Sequence, residues 1–85
     1  MKNIRFTKHA SQKFLDLAEL GINISEFQVI EVLLNPENIG PDSDKENMIA
    51  TGKFGLGKLL RVVYRNDGDK IVVITFYPAK IGRYL

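Results

Sequence analysis

The chain predicts an α+β domain in the order β-α-α-β-β-β, with two helices packed on one face of an antiparallel sheet. Three observations carry this. Within residues 8–20 and 25–34, apolar side chains recur at helical spacing. Residues 48–54, 59–65 and 71–77 are rich in β-branched and aromatic side chains. Short Gly/Asn/Asp turns, Gly55-Leu56-Gly57 and Asn66-Asp67-Gly68, join those three stretches.

Taken in order, Ile4-Arg5-Phe6 reads as a short strand and Thr7 as the cap of the helix that follows. Ala10, Phe14, Leu17 and Ala18 form the apolar side of that helix, and Gly21 is placed to end it. Ser25-Glu26-Phe27-Gln28 matches a capping box, with Ile24 and Val29 at the positions of a hydrophobic staple. Phe27, Ile30, Val32, Leu33 and Leu34 supply the second helix's apolar surface, and Asn35-Pro36 stops it. Residues 35–47, rich in Pro, Asn, Asp and Gly, read as an exposed loop.

The final hairpin sets a register. A three-residue loop at Asn66-Asp67-Gly68 places Arg65 opposite Asp69, Val63 opposite Ile71 and Arg61 opposite Val73. Leu60, Val62, Tyr64, Val72, Ile74 and Phe76 then face the core. Leu59, Arg61, Val63, Arg65, Ile71, Val73, Thr75 and Tyr77 form a second face, too apolar for open solvent and too basic for a sealed core. A cleft, a partner interface or cover by the C-terminal tail each accounts for such a face.

At 85 residues and 45% hydrophobic content the chain is one domain, 1–85, with a single modest core. The absence of cysteine excludes disulfides and thiolate metal sites, and a lone histidine argues against a histidine metal centre. No metal and no cofactor is expected. No apolar run approaches membrane-spanning length, and the N-terminus lacks a signal peptide's apolar core, so no membrane partner is expected and the location reads as cytoplasmic. Residues 1–52 hold five Lys/Arg and eight Asp/Glu, a balance of −3; residues 53–85 hold seven Lys/Arg and two Asp, a balance of +5. A basic C-terminal surface suits phosphates or an acidic protein partner.

Gly52 to Leu59 nearly spells a nucleotide-binding phosphate loop. Leu59, however, stands where the magnesium-ligating Ser or Thr belongs, and a strand pattern follows where that loop needs a helix. No nucleotide is expected.

Two segments carry a family likeness. "FTKHASQKF" and "LLRVVYRNDGDKIVVITFYPAKIGRY" resemble the start and the C-terminal half of a group of small prokaryotic domains. That group includes BrnT-type toxins and neighbours the RelE/ParE-like superfamily. The resemblance implies a toxin-like, RNA-cleaving scaffold, metal-independent and partnered by an antitoxin-like protein. His9 and Lys13 match the group's early His-Ala-x-x-basic motif, Arg61 and Tyr77 its strand positions, and Lys80, Arg83 and Tyr84 its basic-aromatic tail. Leu20 departs from the group, where an arginine often precedes Gly-Ile.

Metal-free RNA cleavage needs a base for the 2′-OH proton, an acid for the leaving 5′-oxygen, and positive charge at the phosphorane. Histidine suits both proton roles near neutrality, and His9 is the only one. The candidate catalytic set is His9, Arg61, Tyr77 and Arg83; Lys13, Arg65, Lys80 and Tyr84 are the candidate RNA-binding residues. Arg61 and Arg65 can clamp phosphate while Tyr77 or Tyr84 stacks on a base. The plainer readings stay open: His9 as a surface or capping residue, Lys13 on a solvated helix face, and Arg65–Asp69 as a surface ion pair. So does the alternative function, a non-catalytic interaction module that forms a homodimer or binds a partner through the second sheet face.

Overall fold

The computed structural model describes residues 3–44, 46–55 and 57–80, the Lys80 side chain excepted. Its order is β1 (Asn3–Phe6), α1 (Lys8–Glu19), α2 (Glu26–Leu34), β2 (Asn38–Pro41), β3 (Met48–Lys53), β4 (Lys58–Asp67) and β5 (Lys70–Lys80). The five strands form one sheet in the order β1-β5-β4-β3-β2. Both helices lie on one face, α1 over β5 and β1, α2 over β3 and β4. The α+β class and the order of the expected elements hold, with one strand added.

Local chemistry fixes both helices. Thr7 Oγ1 accepts from the Ala10 N–H at 3.1 Å and donates to the Ile74 carbonyl at 3.1 Å, so one hydroxyl caps α1 and ties it to β5. At the other end Gly21 takes φ +81°; its N–H donates to the Ala18 carbonyl, and the Ile22 N–H to the Leu17 carbonyl. Those two bonds make a Schellman motif, and half-buried Ile22 packs against the core to which Leu17 belongs. The capping box of α2 is complete in both directions between Ser25 and Gln28. The two staple positions, Ile24 and Val29, are both buried in the core.

The core under the helices gathers Ala10, Leu17, Val29, Val32, Ala50, Leu60, Val62, Tyr64, Val73 and Phe76. Gly52 explains how closely α2 sits on β3: a Cβ built there would lie 3.0 Å from Val32 Cγ2. Its φ is ordinary, so space alone opposes a side chain. Gly52→Val is expected to cost about 1–3 kcal/mol by overpacking. Urea denaturation checks this, and adding Val32→Ala should make the two changes strongly non-additive.

Burial also holds the Tyr64 hydroxyl above the ordinary tyrosine range. The neutral phenol is therefore favoured in the folded chain. Its contribution to stability is full below the unfolded value of about 10 and is lost as pH rises through the folded one. Denaturation midpoints should fall above about pH 10, and Tyr64→Phe should make that fall shallower. An unchanged alkaline slope would contradict the assignment.

Several expectations are corrected. The sheet is mixed, because β1 runs parallel to β5, with Phe6 beside Val73. Residues 35–47 are not all loop: Asn38–Pro41 adds an edge strand antiparallel to β3, with Pro41 at the strand end where a missing N–H costs least. The last hairpin turns in two residues, Gly68-Asp69, with Asp67 opposite Lys70. Positive φ at Gly68 (62°) and at no non-glycine residue is the type II′ signature. Arg65 thus faces Val72, not Asp69; Val63 faces Thr75, not Ile71; and Arg61 faces Tyr77, not Val73. A bulge between the Val63 and Tyr64 pairings inserts Ile74 and switches the phase of β5. Val73 and Ile71 therefore join the core, in place of the expected Val72 and Ile74. Ala18 is exposed, and on α2 so are Phe27 and Leu34, while Val29 and Val32 carry the burial.

Candidate functional site

The sheet face opposite the helices is organised in rows by strand register. Pairing aligns Asn38, Thr51, Arg61 and Tyr77 across β2, β3, β4 and β5. At about 4.8 Å per strand, that polar row runs about 14 Å across the sheet. Ile49, Val63 and Thr75 form the row on one side; Lys53, Leu59 and Ala79 form the row on the other. Ile49, Leu59, Val63 and Thr51 are buried, whereas Arg61, Thr75 and Tyr77 are half-buried. The hydrogen-bonding row therefore sits in an apolar frame.

Arg61 and Tyr77 form the centre of this row. The Arg61 Nε–H donates to the Tyr77 hydroxyl at 3.2 Å, and the guanidinium carbon lies 5.9 Å from the Tyr77 ring centroid. That distance is within cation–π range, so charge, hydroxyl and ring are held as a unit. One row away, the Thr75 hydroxyl oxygen is buried and has no hydrogen-bond partner among the described residues.

The other expected site residues fall as follows. Arg65 lies on the same face of β4 but is exposed, four residues and about 13 Å of strand from Arg61. His9 is exposed in the first turn of α1, and its side chain makes no hydrogen bond or ion pair among the described residues. The structure does not join it to Arg61 or Tyr77. It places it in the turn that Thr7 anchors at Ile74, where β5 runs on past its last pairing with β1. Lys13, one helical turn on from His9 on the same side of α1, is half-buried. The Lys80 side chain, Arg83 and Tyr84 lie outside the described residues, as does the tail considered as a cover for this face.

The glycine-rich stretch is a turn. Gly55 and Gly57 take φ of 69° and 70°, and the Phe54 N–H donates to the Lys58 carbonyl at 2.9 Å. It opens directly into β4, not into a helix. Its role at the site is indirect: it sets the register that puts Thr51 beside Arg61. Sequence reasoning missed Thr51 and Asn38, because only the pairing of β2 and β3 with β4 brings them into the row.

Among the described residues no three of His, Cys, Asp and Glu come together as a metal site, and no helix is long and apolar enough to cross a membrane. Compared with protein-family models, with curated proteins and with solved structures, the chain matches none.

Proposed function

We propose that the sheet face opposite the helices binds single-stranded RNA, and that the domain acts as a toxin-like, metal-independent endoribonuclease. The observation that supports this most is the Arg61–Tyr77 pair, a cation and an aromatic hydroxyl fixed side by side on a half-buried sheet surface. The guanidinium meets a phosphate, and the Tyr77 ring offers a stacking surface for a base. Arg65, about 13 Å further along the strand, reaches a neighbouring phosphate and not the same one.

For cleavage, the 2′-oxygen attacks phosphorus, the bond to the 5′-oxygen breaks, and a 2′,3′-cyclic phosphate and a 5′-hydroxyl result. Arg61 neutralises the phosphorane charge. The Tyr77 hydroxyl lies next to that charge and handles one of the two protons. The other proton passes to or from solvent, because His9 stands in α1, on the helix side of the sheet.

Titration of labelled single-stranded RNA at several salt concentrations tests the binding half. Wild-type protein should bind with a salt-dependent affinity, and Tyr77→Ala should lose about 1–3 kcal/mol. Tyr77→Phe, which keeps the ring, should retain most of the binding. Salt-independent binding would contradict the phosphate contacts, and equal loss in both variants would contradict the stacking role.

A further inference from the structure

We propose that α2 and the β2 edge form a docking surface for a basic amphipathic helix of a partner protein, on the side of the molecule away from the Arg61 row.

Helix α2 has two apolar sides. Val29 and Val32 point into the core and are buried. Phe27, Ile30 and Leu34 follow the i, i+3, i+7 pattern on the other side, where Phe27 is 72% and Leu34 48% exposed. At about 100° per residue this second stripe lies opposite the first, and Glu26 and Glu31 flank it on its two sides. Ile39, 48% exposed, continues the apolar surface onto the sheet edge. It pairs with Ala50, a core residue, so it stands on the helix side of β2.

Charge selects the occupant. Residues 14–44 contain seven carboxylates (Asp16, Glu19, Glu26, Glu31, Glu37, Asp42 and Asp44) and no lysine or arginine. Among the described residues, Glu37 alone of these has a cationic partner, Lys53 at 4.0 Å. The large exposed apolar residues of the described chain, Leu15, Leu20, Phe27, Leu34 and Ile39, all fall in the same acidic segment. An apolar ridge between carboxylates is complementary to a helix with Leu or Ile along one side and Lys or Arg beside it. The same carboxylates repel an anionic membrane and RNA. A second copy of this chain would set acidic flank against acidic flank in any two-fold pairing.

The test uses a fluorescein-labelled helical peptide of about 18 residues, with leucine on one side and lysine and arginine elsewhere, and a counterpart with glutamate at every basic position. Wild-type protein should bind the basic peptide saturably, one to one, and the acidic peptide not at all. Phe27→Asp should weaken binding at least about tenfold although it adds a negative charge, which a purely electrostatic contact would turn into tighter binding. Exposure of Phe27 leaves the fold intact in that variant, and circular dichroism checks this. Glu26→Lys with Glu31→Lys should weaken binding comparably and flatten its salt dependence. Absence of saturable binding, equal binding of the acidic peptide, or undiminished binding by Phe27→Asp would overturn the proposal. So would light scattering that shows a wild-type dimer and a monomeric Phe27→Asp, since the occupant would then be a second copy.

Discussion

Phe76→Ala is expected to lower stability by about 3–5 kcal/mol. Phe76 is completely buried in β5, and its ring centroid lies 4.5 Å from that of Phe14 in α1. Phe14 in turn lies 5.6 Å from Phe6 in β1. The three rings thus join β5, α1 and β1 through Phe14, and removing the Phe76 ring opens a cavity beneath Phe14. A domain of this size holds roughly 5–10 kcal/mol in all, so the variant keeps a margin of only about 0–7 kcal/mol. Urea denaturation at 25 °C measures the effect directly. Phe76→Leu, which fills most of the volume, should cost clearly less. Phe27→Ala, at an exposed position, should cost almost nothing; similar losses at Phe27 and Phe76 would contradict the packing described.

Arg61→Ala is expected to lower RNA cleavage by about 10²–10³-fold, or about 3–4 kcal/mol in the barrier. The folded state should lose far less, about 0.5–1.5 kcal/mol for the hydrogen bond to Tyr77. That separation distinguishes a catalytic arginine from a structural one. Arg61→Lys keeps a positive charge but not the planar guanidinium that donates to Tyr77 through Nε, so it should recover only part of the rate.

Much of the fold was legible because local chemistry dictates it. Thr7, Gly21, Ser25 and Gln28 each do at the helix ends what their side chains or backbone freedom allow nowhere else as well. Leu60, Val62, Tyr64 and Phe76 reach the core as alternation requires. What escaped was non-local. The parallel addition of β1 to β5 leaves no trace in a four-residue pattern, and Asn38-Ile39-Gly40-Pro41 has weak strand preference until β3 offers its edge. Ile74 shows why a hairpin register is fragile: one inserted residue moved Val73 into the core and Val72 out of it.

The site was legible to the same degree. Arg61 and Tyr77 fall on the expected face, because the shorter loop and the bulge together move the register there by an even number of positions. Their direct contact was not expected. It arises only because that shift brings Tyr77, and not Val73, opposite Arg61. The glycine turn, so conspicuous in the sequence, contributes backbone geometry, with positive φ at Gly55 and Gly57 and a direct entry into β4.

The most direct test of the functional account is RNA cleavage in EDTA by wild-type protein and Arg61→Ala, on free single-stranded RNA and on ribosome-bound messenger RNA. Wild-type protein should cleave without metal and leave 2′,3′-cyclic phosphate ends, and Arg61→Ala should be about 10²–10³-fold slower. Intact RNA with the wild type on both substrates, or full activity in Arg61→Ala, would contradict it.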